Sequence, residues 1–387
     1  MTVELAQPGR GSVPIHVVDR GSFAACSAVL EAAERRWLET VGFSGAPDSY
    51  ALLPGRPDQT GQTRCLFTFV PDPDPRAGGK FLHVSGKPAP QDRINALVAM
   101  VRALAKRSMV GGVARNQFDL EFAHLPAHRR RALLVVGSYE EAEHVEHALA
   151  DALGVEAGEA VVALIPDTDG DLQLRRPQAK LRRSNLARLP EMEGIQFLIA
   201  PLQAIERGHN ILVGQEAAIG SIYFLTRPMP VPGDLNVAIQ KLNAWAMRAA
   251  PTCEVATIGE AGVWLRSEAD KRWRDASPAN DRKGTYRELD DTERSGLLWT
   301  QLVLVWQCIG RLLRGGVPAR VHFVDAKWAE VRTGLMPGAE ETEASSMLVG
   351  FARLLRTAMA DPDPAQAAVA QALYGSFAQA LDLLLES

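Results

Sequence analysis

The chain has 387 residues, with 42 lysines and arginines against 46 aspartates and glutamates, and a formal net charge of -4. This near balance excludes a protein whose bulk charge attracts nucleic acid, so any contact with DNA or RNA has to come from local basic patches. Four scattered cysteines without C-x-x-C spacing and no apolar run as long as the roughly 18 residues of a membrane span predict a cytoplasmic protein without zinc, disulfides or a membrane partner.

Residues 1–128 do not predict a single fold. A helical pattern over 24–41 is followed by segments rich in glycine, proline and aspartate, with the short apolar run 65–70 between two of them. The alternation of apolar and polar residues over 93–106 predicts another amphipathic helix, ending before Gly111 and Gly112. We therefore assign 1–128 to an N-terminal region of unclear fold.

A regular alternation of apolar runs and helical stretches begins near residue 129. Runs of five to seven apolar residues are typical of strands that are buried on both faces, and helices between them indicate a parallel sheet. We expect a domain over 129–335, with an insertion at about 228–296, followed by a helical C-terminal extension over 336–387. The predicted strands are 132–138, 161–167, 196–201, 221–227 and 321–326.

The segment 307–314, with the sequence QCIGRLLR, carries the strongest chemical signal. Arg311 and Arg314 are three residues apart on a predicted helix, so their guanidinium groups share one face and can clamp a phosphate. Gln307 and Gly310 complete the pattern Q-x-x-G-R-x-x-R, in which the glycine permits close approach. The alternative interpretation is a solvated face of an amphipathic helix.

No phosphate cradle accompanies these arginines. A P-loop needs G-x-x-x-x-G-K-[ST], and neither Lys80 nor Lys87, which follow glycines, is in that context. The sequence also predicts no metal site. Two basic patches are candidates for nucleic-acid contact: Arg182 and Arg183 in the connector 172–188, and Trp273 within the run KRWR, where a base can stack on the ring. A solvated helix face is the alternative for each patch.

Taken in order, three segments resemble motifs of superfamily 2 helicases of the DinG and XPD-like branch. The segment 307–314 and the following strand VHFVDA resemble motif VI. The strand and helix 133–149, LLVVGSYEEAEHVEHAL, resemble motif IV, and 197–212, FLIAPLQAIERGHNIL, resemble motif V. The latter departs from the family pattern, because Asn210 replaces the usual aspartate and Arg207 separates Glu206 from Gly208. The set also resembles helicase-like proteins encoded beside prokaryotic PIWI and restriction-nuclease genes.

The resemblance implies an α/β fold with a RecA-like parallel sheet and flanking helices, the second lobe of a P-loop NTPase helicase. It implies that ATP and Mg²⁺ are shared with a first lobe and are not bound by this chain alone. Arg311 and Arg314 would then be arginine fingers, and Gln307 and Gly310 would belong to the same catalytic motif, with Gln307 sensing closure of the cleft. Ser138 and Tyr139 would contact a DNA backbone. The nucleotide-binding residues of this lobe would be Glu206, Arg207, Gly208 and Asn210.

The implied partners are single-stranded or duplex DNA, a P-loop-containing lobe or subunit, and PIWI-like and nuclease proteins of a defence system. Two other functions stay open. One is a non-catalytic nucleic-acid-binding or scaffold subunit derived from a helicase lobe. The other is an unrelated doubly wound α/β enzyme that binds a small molecule at its strand ends. A large distance between Arg311 and the motif V-like loop would favour that enzyme.

Overall fold

In a computed structural model, the described residues are 2–7, 10–16, 50–53, 65–69, 73–74, 80–167, 177–205, 210–229, 257–276, 286–289 and 291–386, with scattered positions in 239–255. Side chains are described from Phe81 onward. The chain divides into two compact units. One comprises Met1–Arg227 with Ser295–Ser387, and the other comprises Pro228–Arg294.

The strands run from the N-terminal region to just beyond residue 320. In chain order they are β1 (Thr2–Gln7), β2 (Arg10–His16), β3 (Tyr50–Leu53), β4 (Cys65–Phe69), β5 (Pro73–Asp74), β6 (Lys80–Phe81), β7 (Ser108–Val110), β8 (Val113–Arg115), β9 (Ala132–Val136), β10 (Val161–Ile165), β11 (Lys180–Arg182), β12 (Phe197–Pro201), β13 (Leu212–Val213), β14 (Glu216–Ala217), β15 (Ser221–Phe224) and β16 (Ala319–Phe323).

The α-helices lie between and after these strands. In chain order they are α1 (Pro90–Ala105), α2 (Gln117–Phe122), α3 (Tyr139–Leu153), α4 (Leu202–Ile205), α5 (Ile258–Ala276), α6 (Asp291–Gly310), α7 (Met347–Met359) and α8 (Pro364–Glu386). Short 3₁₀ helices cover Ala127–Arg129, Pro177–Ala179, Arg183–Glu191, Tyr286–Glu288 and Ala326–Trp328.

The first unit is built on a seven-stranded sheet in the order β11-β10-β12-β9-β15-β16-β4. All neighbouring strands in it are parallel. Every residue of β9, β10 and β12 is buried, as continuous apolar runs predict. The predicted α/β architecture with a parallel sheet and flanking helices is therefore confirmed, and all five predicted strands are present.

Two strands of this sheet were not predicted. The strand β11 lies inside the basic connector, where three residues with two charged side chains give no strand pattern. The strand β4 comes from the N-terminal region and pairs with β16 at the opposite end of the sheet from β11. One compact unit, Met1–Arg227 with Ser295–Ser387, contains residues from both sides of position 128, and the other unit is Pro228–Arg294.

The two faces of the sheet have different cores. Side chains alternate between the faces along each strand, so neighbours such as Tyr223 and Phe224 point to opposite sides. The face with Tyr223 and Leu134 is covered by α1, α2 and α3. The other face carries an aromatic series in which Phe323 contacts Trp328, Trp328 contacts Phe351, and Phe351 contacts Phe377 of α8.

The helix α8 is apolar along most of its length. The segment Gln366–Glu386 within it is long and apolar enough to cross a membrane by length and composition. Its buried residues include Phe377 and Leu381, and the helix packs on α7 and β4. A core helix passes the same composition test, so this is weak evidence for a membrane span.

Candidate functional site

The segment with the two arginines begins at the end of α6 and leads into β16. After Gly310 the helix tightens, with the Leu312 N–H donating to the Ile309 carbonyl oxygen at 2.8 Å. Gly315 and Gly316 then have φ of 84° and 72°, which turn the chain toward the sheet. A Cβ at Gly315 would lie 2.6 Å from the Gln215 carbonyl oxygen, so this position requires glycine.

Arg129 fixes the backbone of this segment. Its side chain is buried, with 1% of the residue exposed. Its guanidinium donates to four carbonyl oxygens: those of Ala217 and Leu312 at 2.9 Å, Pro318 at 2.9 Å and Ile219 at 3.2 Å. Burial lowers the pKa of Arg129, and the charge of Glu216 opposes that effect. Arg129 therefore links three segments: the residues before β15, the residue before β16, and Leu312, which lies between Arg311 and Arg314.

Arg311 lies against the segment that resembles motif V. It lines a cavity of about 10 Å³, together with Ile205 and Ile211, which flank residues 206–209, and with Leu133, Leu198, Ile219 and Leu312. A cavity of this volume holds one water molecule at most, so a phosphate does not enter it. Arg311 and described residues of the motif V-like segment are adjacent, so the large distance that would favour the small-molecule enzyme is not observed.

The other residues of the arginine motif are more accessible. Gln307 and Arg314 are exposed, whereas Arg311 is half-buried. The Arg314 carbonyl oxygen accepts the Ala217 N–H at 2.9 Å, which fixes its backbone and leaves its side chain at the surface. A Cβ at Gly310 would meet nothing within 4 Å, so packing among the described residues does not require this glycine.

The predicted nucleotide-binding residues are only partly described. Asn210 is exposed next to Ile211. Glu206, Arg207 and Gly208 lie outside the described residues, so their prediction is neither supported nor opposed by the structure.

Ser138 has a structural role at the start of α3. It is the N-cap, and its hydroxyl accepts the Glu141 N–H at 3.1 Å. The buried Glu141 carboxylate accepts the Gly137 N–H at 2.7 Å and forms an ion pair with Arg93. A carboxylate of the chain therefore lies at the electropositive end of this helix, beside the position at which the resemblance implies a DNA phosphate. Tyr139, the first residue of the helix, is half-buried.

The basic patch around β11 is partly engaged in local contacts. Arg182 donates to the Asp167 carbonyl oxygen at 3.2 Å, and the Asp167 carboxylate accepts the Ser184 N–H at 2.9 Å. Hydrogen bonds from Ser184 lower the pKa of Asp167, and the charges of Arg182 and Arg183 act in the same direction. Both arginines are half-buried, so the patch presents part of its charge to solvent.

Trp273 belongs to the second unit. It lies on α5 and is 36% exposed. Its neighbours Lys271 and Arg272 both form ion pairs with Glu268, at 2.6 and 2.7 Å, and Arg272 also lies over the ring of Trp245 at 4.2 Å. The cations of this patch are thus partly neutralised within the helix, while the Trp273 ring stays accessible.

A buried carboxylate at the carboxyl ends of β15 and β16 was not predicted. Asp325 is fully buried, and its Oδ2 accepts the N–H groups of Ser85, Val84 and Arg227 at 3.0, 3.3 and 3.3 Å and the Ser85 hydroxyl at 2.6 Å. Its Oδ1 accepts the Lys327 N–H at 2.9 Å. Ligands of open α/β sheets bind at this edge, but Asp325 is saturated by the protein. Asp325 therefore links the loop before α1 to the carboxyl ends of β15 and β16.

A second buried polar cluster lies between α2 and the sheet. Glu121 Oε1 lies 2.5 Å from Arg320 Nε and 3.1 Å from His322 Nε2. The His322 ring stacks on Tyr223 with centroids 4.2 Å apart. Burial acts to raise the pKa of Glu121, but hydrogen bonds and charges from His322 and Arg320 outweigh it, and the net shift is downward. Burial, and then the charge of Glu121, raise the pKa of Tyr223.

ATP and Mg²⁺ do not fit the described part of the chain by itself. The arginine segment borders a cavity for one water only, and the described residues contain no group of three or more His, Cys, Asp or Glu that could hold a metal ion. No family model, curated protein or solved structure matches this chain.

Proposed function

We propose that this chain is the second motor lobe of a DinG-like superfamily 2 DNA helicase or translocase, which acts together with a subunit that carries the P-loop. One observation carries the proposal: Arg311 shares a cavity with Ile205 and Ile211. The segments that resemble motifs V and VI, separated by about a hundred residues of sequence, are thus neighbours on a parallel sheet of the class that the resemblance implies.

Within this proposal the two arginines have different roles. Arg314 is exposed and can present its guanidinium to a phosphate that the partner holds. Arg311 is half-buried against apolar side chains and braces its segment against Ile205 and Ile211. The Arg129 guanidinium, bound to the Leu312 carbonyl oxygen, holds the backbone between them in place. Because the backbone is fixed, only the Arg314 side chain has to be ordered when it binds a phosphate.

The proposed setting is a cytoplasmic DNA-processing or defence complex. The partly exposed Arg182 and Arg183 are the best placed of the predicted DNA contacts in the first unit, because Ser138 serves as a helix cap. The accessible ring of Trp273 offers a stacking surface in the second unit. PIWI-like and nuclease proteins are proposed as further partners.

ATP hydrolysis in the presence of single-stranded DNA tests the proposal. The chain is assayed alone and with a P-loop ATPase subunit encoded next to it. We expect activity only in the mixture, and Arg314→Ala to lower it by roughly 10³-fold or more, the range for an arginine supplied in trans. Arg353→Ala is the matched control, because Arg353 is an exposed arginine on α7. Equal rates for Arg314→Ala and the wild type would refute the role of Arg314.

A non-catalytic nucleic-acid-binding or scaffold subunit is the second candidate. Two predicted contact points favour it because each already has a partner within the chain: the Glu141 carboxylate accepts the Gly137 N–H at the start of α3, and Arg311 lines a small apolar cavity. For this candidate the mixture hydrolyses no ATP with any partner, whereas binding to single-stranded DNA persists. Measuring hydrolysis and DNA binding on the same samples separates the two functions.

A further inference from the structure

A small β-hairpin projects from the first unit between α1 and α2. Its strands β7 and β8 are joined by Gly111 and Gly112, with φ of 60° and 81°. Two consecutive residues with positive φ form the tight turn that suits the twist of a hairpin. All residues of both strands are exposed, and β7 pairs with β8 alone.

The exposed surface of the hairpin is apolar at its tip and cationic at its base. Met109, Val110 and Val113 are 70%, 41% and 52% exposed. Lys106, Arg107 and Arg115 are exposed at the base, and no described residue forms an ion pair with any of the three. Residues 106–115 contain no acidic side chain. A two-stranded hairpin is marginally stable alone, and exposed apolar clusters mark interaction sites.

The base of the hairpin is anchored by hydrogen bonds. Asn116, the next residue, is buried and forms a capping box with Asp119, with hydrogen bonds of 2.7 and 3.0 Å between their backbone and side-chain groups. The helix that follows is tied to the sheet through Glu121 and Arg320 of β16. An anchored base with an accessible tip is suited to inserting that tip into a partner.

We infer that hairpin 106–115 is a wedge for a nucleic-acid strand: its apolar tip inserts beside the bases, and its three basic side chains bind phosphates. Val110 pairs with Val113 and Ser108 with Arg115, so the valine pair and Arg115 lie on one face, separated by two residues, or about 7 Å. Apolar wedges flanked by basic residues are a known way of unstacking bases. The inference rests on the proposed function, which supplies the DNA.

An anionic membrane also offers apolar and anionic groups, but the composition of the hairpin suits a membrane less well than a nucleic-acid strand. Residues 106–115 contain no aromatic side chain for the membrane interface. Three small apolar side chains bury little area in lipid, and lasting membrane attachment requires a longer apolar face or a lipid chain. The nucleic acid is therefore the occupant that the charge and the size of the tip favour.

The test uses the full chain and a labelled forked DNA with 2-aminopurine at the junction, together with single-stranded DNA and RNA of the same sequence. One variant is Met109→Ser/Val110→Ser/Val113→Ser, and another is Lys106→Gln/Arg107→Gln/Arg115→Gln. Leu383→Ser, at a site 62% exposed on α8, is the matched control. Circular dichroism melts verify that each variant folds.

The wild type is expected to bind DNA and to raise the aminopurine fluorescence through unstacking. The serine variant should lose most of this rise. The glutamine variant should reduce the slope of log K against log salt by about 2 for single strands, at about 0.7 per phosphate contact. Unchanged slope and fluorescence in both variants, with DNA binding intact, would overturn the wedge and leave the proposed function standing. Hairpin-dependent binding to phosphatidylserine vesicles without binding to DNA or RNA would overturn both.

Discussion

The guanidinium of Arg129 donates a hydrogen bond of 2.9 Å to the carbonyl oxygen of Leu312, 183 positions further along the chain. The same guanidinium donates hydrogen bonds to three other carbonyl oxygens. One buried cation therefore connects segments that are distant in the sequence. Because Leu312 lies between Arg311 and Arg314, this contact links the stability of the sheet edge to the geometry of the candidate site.

Arg129→Ala should lower the free energy of unfolding by about 3–5 kcal/mol, because it leaves buried carbonyl groups without donors. Urea denaturation followed by circular dichroism measures the change. Arg102→Ala is the control, because Arg102 is 57% exposed and forms only a long ion pair of 3.4 Å. We expect the control to cost less than about 1 kcal/mol. Equal losses for both variants would show that the four hydrogen bonds contribute little.

The cluster around Glu121 should make stability depend on acid pH. Because its pKa is lower in the folded protein than the ordinary value of 4.5, the ionised carboxylate stabilises the fold above that value. This contribution is lost as the pH falls through the folded pKa. Glu121→Gln should therefore be less stable than the wild type at pH 7, by roughly 3 kcal/mol, with the difference shrinking below about pH 4.5.

Urea titrations of the wild type and Glu121→Gln at pH 7, 5 and 4 check this prediction. Glu191→Gln serves as the control, since Glu191 is 71% exposed in its pair with Arg188. A stability difference for Glu121→Gln that stays constant between pH 7 and 4 would contradict the role of its ionisation.

The carboxylate of Asp325 should be a stability determinant at the carboxyl edge of the sheet. Asp325→Asn replaces one acceptor oxygen with an amide that faces N–H donors, and we expect a loss of about 3 kcal/mol. Ser85→Ala removes one of the hydrogen bonds to it and should cost about 1 kcal/mol. Thermal denaturation measures the stability of both variants. A smaller loss of stability for Asp325→Asn than for Ser85→Ala would contradict the role of Asp325 as a stability determinant.

The two glycines on either side of the arginine pair should respond differently to alanine. Gly315→Ala forces a Cβ toward the Gln215 carbonyl oxygen at positive φ and should cost about 2 kcal/mol or more. Gly310→Ala meets no atom within 4 Å and adds helix propensity, so stability should be unchanged or slightly higher. A loss of ATPase activity in the stable Gly310→Ala variant would then indicate a role for this glycine in contact with the partner.

The central strands could be predicted from the sequence because burial on both faces leaves a continuous apolar run, as in β9 and β12. The contacts that organise the site could not. Ser85 and Asp325 are 240 positions apart, and nothing local in either segment indicates the other. Arg129 lies in the run HRRR, which reads as a surface patch, and only the fold shows which of these arginines is buried.

The motif resemblance had a similar limit. The cavity that Arg311 lines brings it beside Ile205 and Ile211, which flank residues 206–209. The resemblance did not indicate that Glu141 would occupy the helix end beside Ser138, because glutamate in the first turn of a helix is favourable in any context.

The strand β4 has a consequence for biosynthesis. Its partner in the sheet, β16, is synthesised about 250 residues later, which at 5–20 residues per second is a delay on the order of 10–50 s. During that interval β9, β10, β12 and β15 can already assemble on the ribosome, while the apolar segment CLFTF has no partner strand. Nascent chains of this protein should therefore recruit a chaperone to their N-terminal region until residue 323 has emerged.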